Sequence, residues 1–162
     1  MANETTWTDD SPTTVISVAA NMTNGQVAGR TTMLNNAGNK RTRALATLYV
    51  SGFGSTPTAE TGFELWMQRQ NVDGTDDDTA GGSVTSTPAS PSNGFASTQG
   101  AELVGFFPVA QTTAAQRITR EIAFERVAEA HFIVRNQTGV TANAGVGTEL
   151  TVKITPFTAG TT

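Results

Sequence analysis

Residues 149–155 read ELTVKIT. Leu150, Val152 and Ile154 alternate with Glu149, Thr151, Lys153 and Thr155. A period of two places every second side chain on one face of an extended backbone, so this stretch reads as a half-buried strand. The same pattern recurs earlier. Phe63, Leu65 and Met67 point one way, and Glu64, Trp66 and Gln68 the other. Leu45 to Val50 is β-like, and Leu103 to Val109 is a compact apolar run broken at Pro108, which also suits a strand.

Residues 114–134, AAQRITREIAFERVAEAHFIV, admit two readings. Ile118 and Ile122 are spaced for one helix face, while Ile122 with Phe124, and Phe132 with Val134, alternate as strands do. The adopted reading is two strands joined near Arg126 to Ala130, with a helix as the alternative. NQTG at Asn136 to Gly139 is turn chemistry. Seven or eight short strands with turns between them predict an all-β fold, a single β-sandwich of the jelly-roll or immunoglobulin-like kind. Leu65, Met67, Leu103, Phe132, Val134, Val152 and Ile154 are expected to face its core. Residues 1–43 are Thr- and Asn-rich with one apolar stretch, Val15 to Ala20, and are expected to form an extended N-terminal arm with one or two short strands. Residues 44–162 form the sandwich. Within it, 81–100 should be a long loop, because fourteen of its twenty residues are Gly, Ser, Thr or Pro.

The chain of 162 residues suits one domain. It has no cysteine, so disulfides, thiolate metal sites and cysteine nucleophiles are excluded. No stretch reaches the ~18 apolar residues of a membrane-spanning helix, and MANETTWTDD does not read as a signal peptide. Neither a membrane nor nucleic acid is an expected partner, since the basic residues are too sparse for a nucleic-acid footprint.

Charge is unevenly spread. Residues 11–59 contain Arg30, Lys40, Arg41 and Arg43 and no acid, whereas 60–102 carry seven acids against Arg69 alone. Such asymmetry suggests a two-faced surface. The four cations are the candidate partner-binding residues, with the arm beside them facing the partner.

Asp73, Asp76, Asp77 and Asp78 cluster in VDGTDDD. They follow a strand, precede a flexible loop and stand next to Gly74, so the adopted reading is a structural turn. A calcium-type site using Asp73, Asp76 and Asp78 is the alternative, but the spacing matches no complete EF-hand loop. His131, the single histidine, lies in an apolar strand pattern and reads as structural. Trp7 and Trp66 could line a sugar-binding face, Trp66 being the better placed. No nucleophile elbow or phosphate loop is present. No catalytic residue, metal or cofactor is expected.

Several segments together resemble a family of small virion structural proteins of tailed bacteriophages. They are Asn24-Gly25, Asn39 to Leu48, GFELWMQRQNVDGTDDD, ELVGFFPV, TTAAQRITREI and FIVRNQTG, spanning about residues 20–140. The resemblance implies a β-sandwich that coats or joins the virion, with a capsid cement or decoration protein as the preferred role. Its partners would be the major capsid protein and further copies of itself, most simply as a homotrimer on the capsid surface. A tail, neck or fibre component, or a glycan-binding module on the virion, are the other roles. The longer Ser/Pro loop and the charges from Glu125 to Glu129 depart from the family pattern.

Overall fold

A computed structural model describes residues 5–29, 32–70, 86–90, 101–123, 129–142 and 150–161. The fold is all-β. Among the described residues ten strands are formed: β1 (Thr5–Asp9), β2 (Thr13–Val18), β3 (Val27–Gly29), β4 (Leu34–Asn35), β5 (Arg43–Val50), β6 (Gly62–Gln70), β7 (Ala101–Pro108), β8 (Gln116–Ala123), β9 (Glu129–Gln137) and β10 (Leu150–Thr161). They build two antiparallel sheets. The first runs β1-β10-β5-β8 and the second β3-β9-β6-β7, with β2 also on β10 and β4 also on β9.

The short strands share edge positions. β1 pairs with the second half of β10 (Asp9 opposite Phe157) and β2 with the first (Val18 opposite Leu150). β3 and β4 divide β9 in the same way. Counting each shared position once leaves eight. These form four nested antiparallel pairs: β6 with β7, β5 with β8, β3/β4 with β9, and β1/β2 with β10. A long hairpin rolled up in this way is the double Greek-key jelly roll, which decides between the two sandwiches left open by the sequence.

The alternating strands behave as their pattern requires. Leu65, Met67, Phe132, Val134, Val152 and Ile154 are buried between the sheets with Phe63, Phe107, Leu48 and Leu150. Residues 1–43, read as an arm, supply β1 to β4, and Val15, Ile16 and Val18 of β2 are fully buried. From β2 onward the chain therefore belongs to the same packed unit as the rest. The described residues of 114–134 form two strands and not a helix, β8 and β9, which lie in different sheets; 124–128 between them fall outside the described residues.

Leu103 corrects the expected core. It is 50% exposed. The β6–β7 register shifts between Leu65 and Trp66: Leu65 faces Gly105, but Trp66 faces Leu103. Val104 is the extra residue of this bulge and packs against the core in place of Leu103. One inserted residue exchanges the faces of all that follow it, and the outward-facing set then includes Leu103 and the exposed Phe106.

The expected 81–100 loop is described only at 86–90. Ala89 pairs there with Val27, its N–H donating to the Val27 carbonyl (3.0 Å) and its carbonyl accepting from the Val27 N–H (2.9 Å). The β6–β7 connection thus reaches the far edge of the second sheet and satisfies backbone groups of the edge strand β3.

Candidate functional site

The register sets two ends to the sandwich. At one end residues 19–26, 51–61, 109–115 and 138–142 gather around Asn136. This side chain is fully buried. Its Nδ2 donates to the carbonyls of Met22 (2.7 Å) and Val140 (2.9 Å). Its Oδ1 accepts from the backbone N–H (2.9 Å) and the hydroxyl (2.7 Å) of Thr138. The N–H of Gly25 donates to the Asn136 carbonyl (2.7 Å), and the N–H of Gly139 to Asn24 Oδ1 (2.9 Å). Both glycines have positive φ, 84° and 79°, a conformation that favours residues without a Cβ. Asn24-Gly25 and NQTG, more than a hundred residues apart, therefore form one structure. Thr58 N–H donates to the Thr138 carbonyl (3.0 Å) and Gly54 N–H to the Thr141 carbonyl (2.9 Å), tying in the β5–β6 connection.

The opposite end carries the connection 36–42. Here stand three of the four cations singled out in the sequence. Buried Asn36 closes the turn: its Nδ2 donates to the Arg41 carbonyl and its Oδ1 accepts from the Arg41 N–H, both at 2.9 Å. Within the turn Lys40 is exposed and held at φ 50°. Arg41 turns back onto Asp10, between β1 and β2. Its Nη2 donates to Oδ1 at 2.8 Å and its Nε to the same oxygen at 3.2 Å. Asn39 donates to Oδ2 at 3.0 Å. The Arg41 hydrogen bonds hold the Asp10 carboxyl below its usual pKa, with that from Asn39 adding to them against the opposing effect of burial. The same carboxylate raises Arg41. Arg43 pairs with Glu121 across β5–β8 at 3.0 Å.

Arg30 and the aspartates Asp73, Asp76, Asp77 and Asp78 lie outside the described residues. The three described cations do not converge into one free basic patch, because two of them are matched by acids outside the basic segment. Among the described residues, no group of three or more His, Cys, Asp or Glu side chains could hold a metal. Half-buried Trp66 packs against Val27 and Ile133, and its Nε1 donates to Glu64 Oε2 at 3.1 Å. His131 lies in β9, half-buried, opposite Gln68.

A second group of cations was missed in the sequence. On the outer face of the first sheet, Tyr49 lies between Thr151 and Arg117, and Thr47 between Lys153 and Thr119. With Pro12 and Thr155, all of these but Thr119 line a shallow groove of about 220 Å³. The Arg117 guanidinium sits over the Tyr49 ring, 5.7 Å from its centre. The alternation at 149–155 already puts Lys153 on the solvent face; only the strand order brings Arg117 across from it.

No protein-family model matches this chain, and no curated protein sequence matches it significantly.

Proposed function

We propose that the chain is a non-enzymatic structural protein of a tailed-bacteriophage virion, a cement or decoration protein that binds the major capsid protein and stabilises the shell from its outer surface. The observation that carries this reading is the place of the segments that resemble that family. GFELW and ELVGFFPV pair as β6 and β7, and Asn24-Gly25 meets NQTG around Asn136. The segments are thus framework, as expected of motifs that mark a fold family. The jelly roll supports the reading by analogy, since it recurs in capsid proteins. Self-association as a trimer would match local three-fold sites on a shell.

The test is to add the purified chain to capsid shells that lack it, sediment the mixture and image the particles. Saturable density on the shell, with shells that resist heating better, is the expected result. Density on the tail or neck alone, or no co-sedimentation, would overturn the reading.

A further inference from the structure

We propose that the groove across β8, β5 and β10 is the docking site for an extended peptide segment bearing carboxylates, with Arg117 and Lys153 as its anchors. The proposal deepens the cement reading and rests on it: the occupant is an acidic segment of the shell subunit.

The accounting of positive charge points here. Eight lysines and arginines are described: Lys40, Arg41, Arg43, Arg69, Arg117, Arg120, Arg135 and Lys153. Four are matched by acids, Arg41 by Asp10, Arg43 by Glu121, Arg69 by Glu102 and Arg135 by Glu64. Lys40, Arg117, Arg120 and Lys153 have no carboxylate partner among the described residues, and of these Arg117 and Lys153 share a groove. On a chain of net charge −4, an unmatched pair of cations on one face is the local complement of an acidic partner.

The register sets the shape of the ligand. Arg117 and Lys153 stand on either side of β5, two strand spacings across and two residues along, or roughly 12 Å apart. Carboxylates two residues apart in an extended segment lie about 7 Å apart, a separation that the long lysine stem can meet. Stacking on Tyr49 pre-orders the guanidinium. The hydroxyls of Thr47 and Thr119, 3.0 Å apart, and those of Thr151 and Thr155 offer donors and acceptors to a peptide backbone. At the next row along β5, Leu45 is flanked by Thr155 and by Glu121, neither of which offers a cation, so the anchors for an anion stay in the rows of Tyr49 and Thr47. A groove of about 220 Å³ is smaller than a typical small-molecule site. The face of Tyr49 on which a sugar ring would stack is covered by Arg117. An acidic peptide therefore fits better than a glycan.

Two measurements test this. In the first, an oligoglutamate peptide is titrated into the full chain and followed by amide NMR at low salt. Saturable shifts at Thr47, Tyr49, Thr119 and Thr151, absent from the double variant Arg117→Gln/Lys153→Gln, are expected. No saturable shift there, or equal shifts in the double variant, overturns the groove whatever the chain does in the virion. In the second, shell binding is compared for wild type, the double variant and Arg120→Gln, an exposed cation outside the groove. The double variant should bind on the order of tenfold more weakly, with a flatter salt dependence, while Arg120→Gln binds as wild type. If wild type binds and the double variant binds equally well, the groove is wrong and the cement reading stands. If wild type binds no shell, the cement reading fails, and the peptide titration decides the groove alone.

Discussion

The two ends of the sandwich are closed by different chemistry. At one, the buried amide of Asn136 joins Met22, Val140 and Thr138 with bonds of 2.7–2.9 Å. At the other, Arg41 and Asp10 meet at 2.8 Å with side chains that keep 18% and 21% of their exposure. A buried polar group without its partner pays the full cost of desolvation, whereas an ion pair within reach of water is largely replaced by solvent when it breaks. The amide end should therefore set the stability of the molecule and the ion-pair end its response to pH.

The sharpest way to break this contrast is Asn136→Ala. It strands the Thr138 N–H and takes one of two donors from the Met22 and Val140 carbonyls, which keep the Ala142 N–H and the Thr138 hydroxyl; it should cost about 3 kcal/mol, lowering Tm by about 6–12 °C. The check is a denaturant midpoint that falls at unchanged slope. A loss no larger than that of a surface substitution would mean that solvent reaches the site. Gly139→Ala comes next. A Cβ there would stand 2.5 Å from Thr58 Oγ1, on a residue with φ 79°. The expected cost is about 1–2 kcal/mol, and Gly25→Ala, with φ 84° but open space around it, should cost less.

At the other end, Asp10→Asn should move Tm by no more than ~2–3 °C at neutral pH. Its signature is pH dependence. Folding lowers the pKa of Asp10, so the folded state binds this proton less readily than the unfolded chain. The wild-type advantage over Asp10→Asn is then complete above pH ~5 and fades as pH falls through the depressed pKa. An advantage that instead grows with acidity would reverse the assignment. The smallest effect concerns Asp73, Asp76 and Asp78. On the turn reading, calcium chelation leaves Tm unchanged, and a drop restored by calcium would establish a metal site.

Much of the fold was legible because a strand with one buried face repeats every two residues. The alternations around Leu65 and Val152 announced β6 and β10, and the faces of Phe132 and Val134 followed. What stayed hidden depends on registration between distant strands. Leu103 lies in an apolar run that reads as core, and only the bulge opposite Trp66 turns it outward. β1, β3 and β4 are short and rich in Thr, Asn or Gly, with too few turns of the pattern to signal a strand. NQTG was readable as a turn, but its bonds to Asn24 and Met22 cross more than a hundred residues. The basic segment looked like one patch because its matching acids, Asp10 and Glu121, stand outside it. Lys153 and Arg117 are far apart in sequence and adjacent only through β5.

The rolled hairpin also dictates an order of events. Its innermost pair, β6 with β7, closes one connection, while its outermost pair, β2 with β10, must bring together Val18 and Leu150 from opposite ends of the described chain. Closing so long a loop costs chain entropy that no earlier contact at this position offsets, and folds ruled by distant pairings form slowly, in milliseconds to seconds. During synthesis Val15, Ile16 and Val18 leave the ribosome long before their partner strand. They stay exposed to solvent and to other nascent chains until β10 emerges, so the last strand made is the one that ends the period of greatest aggregation risk.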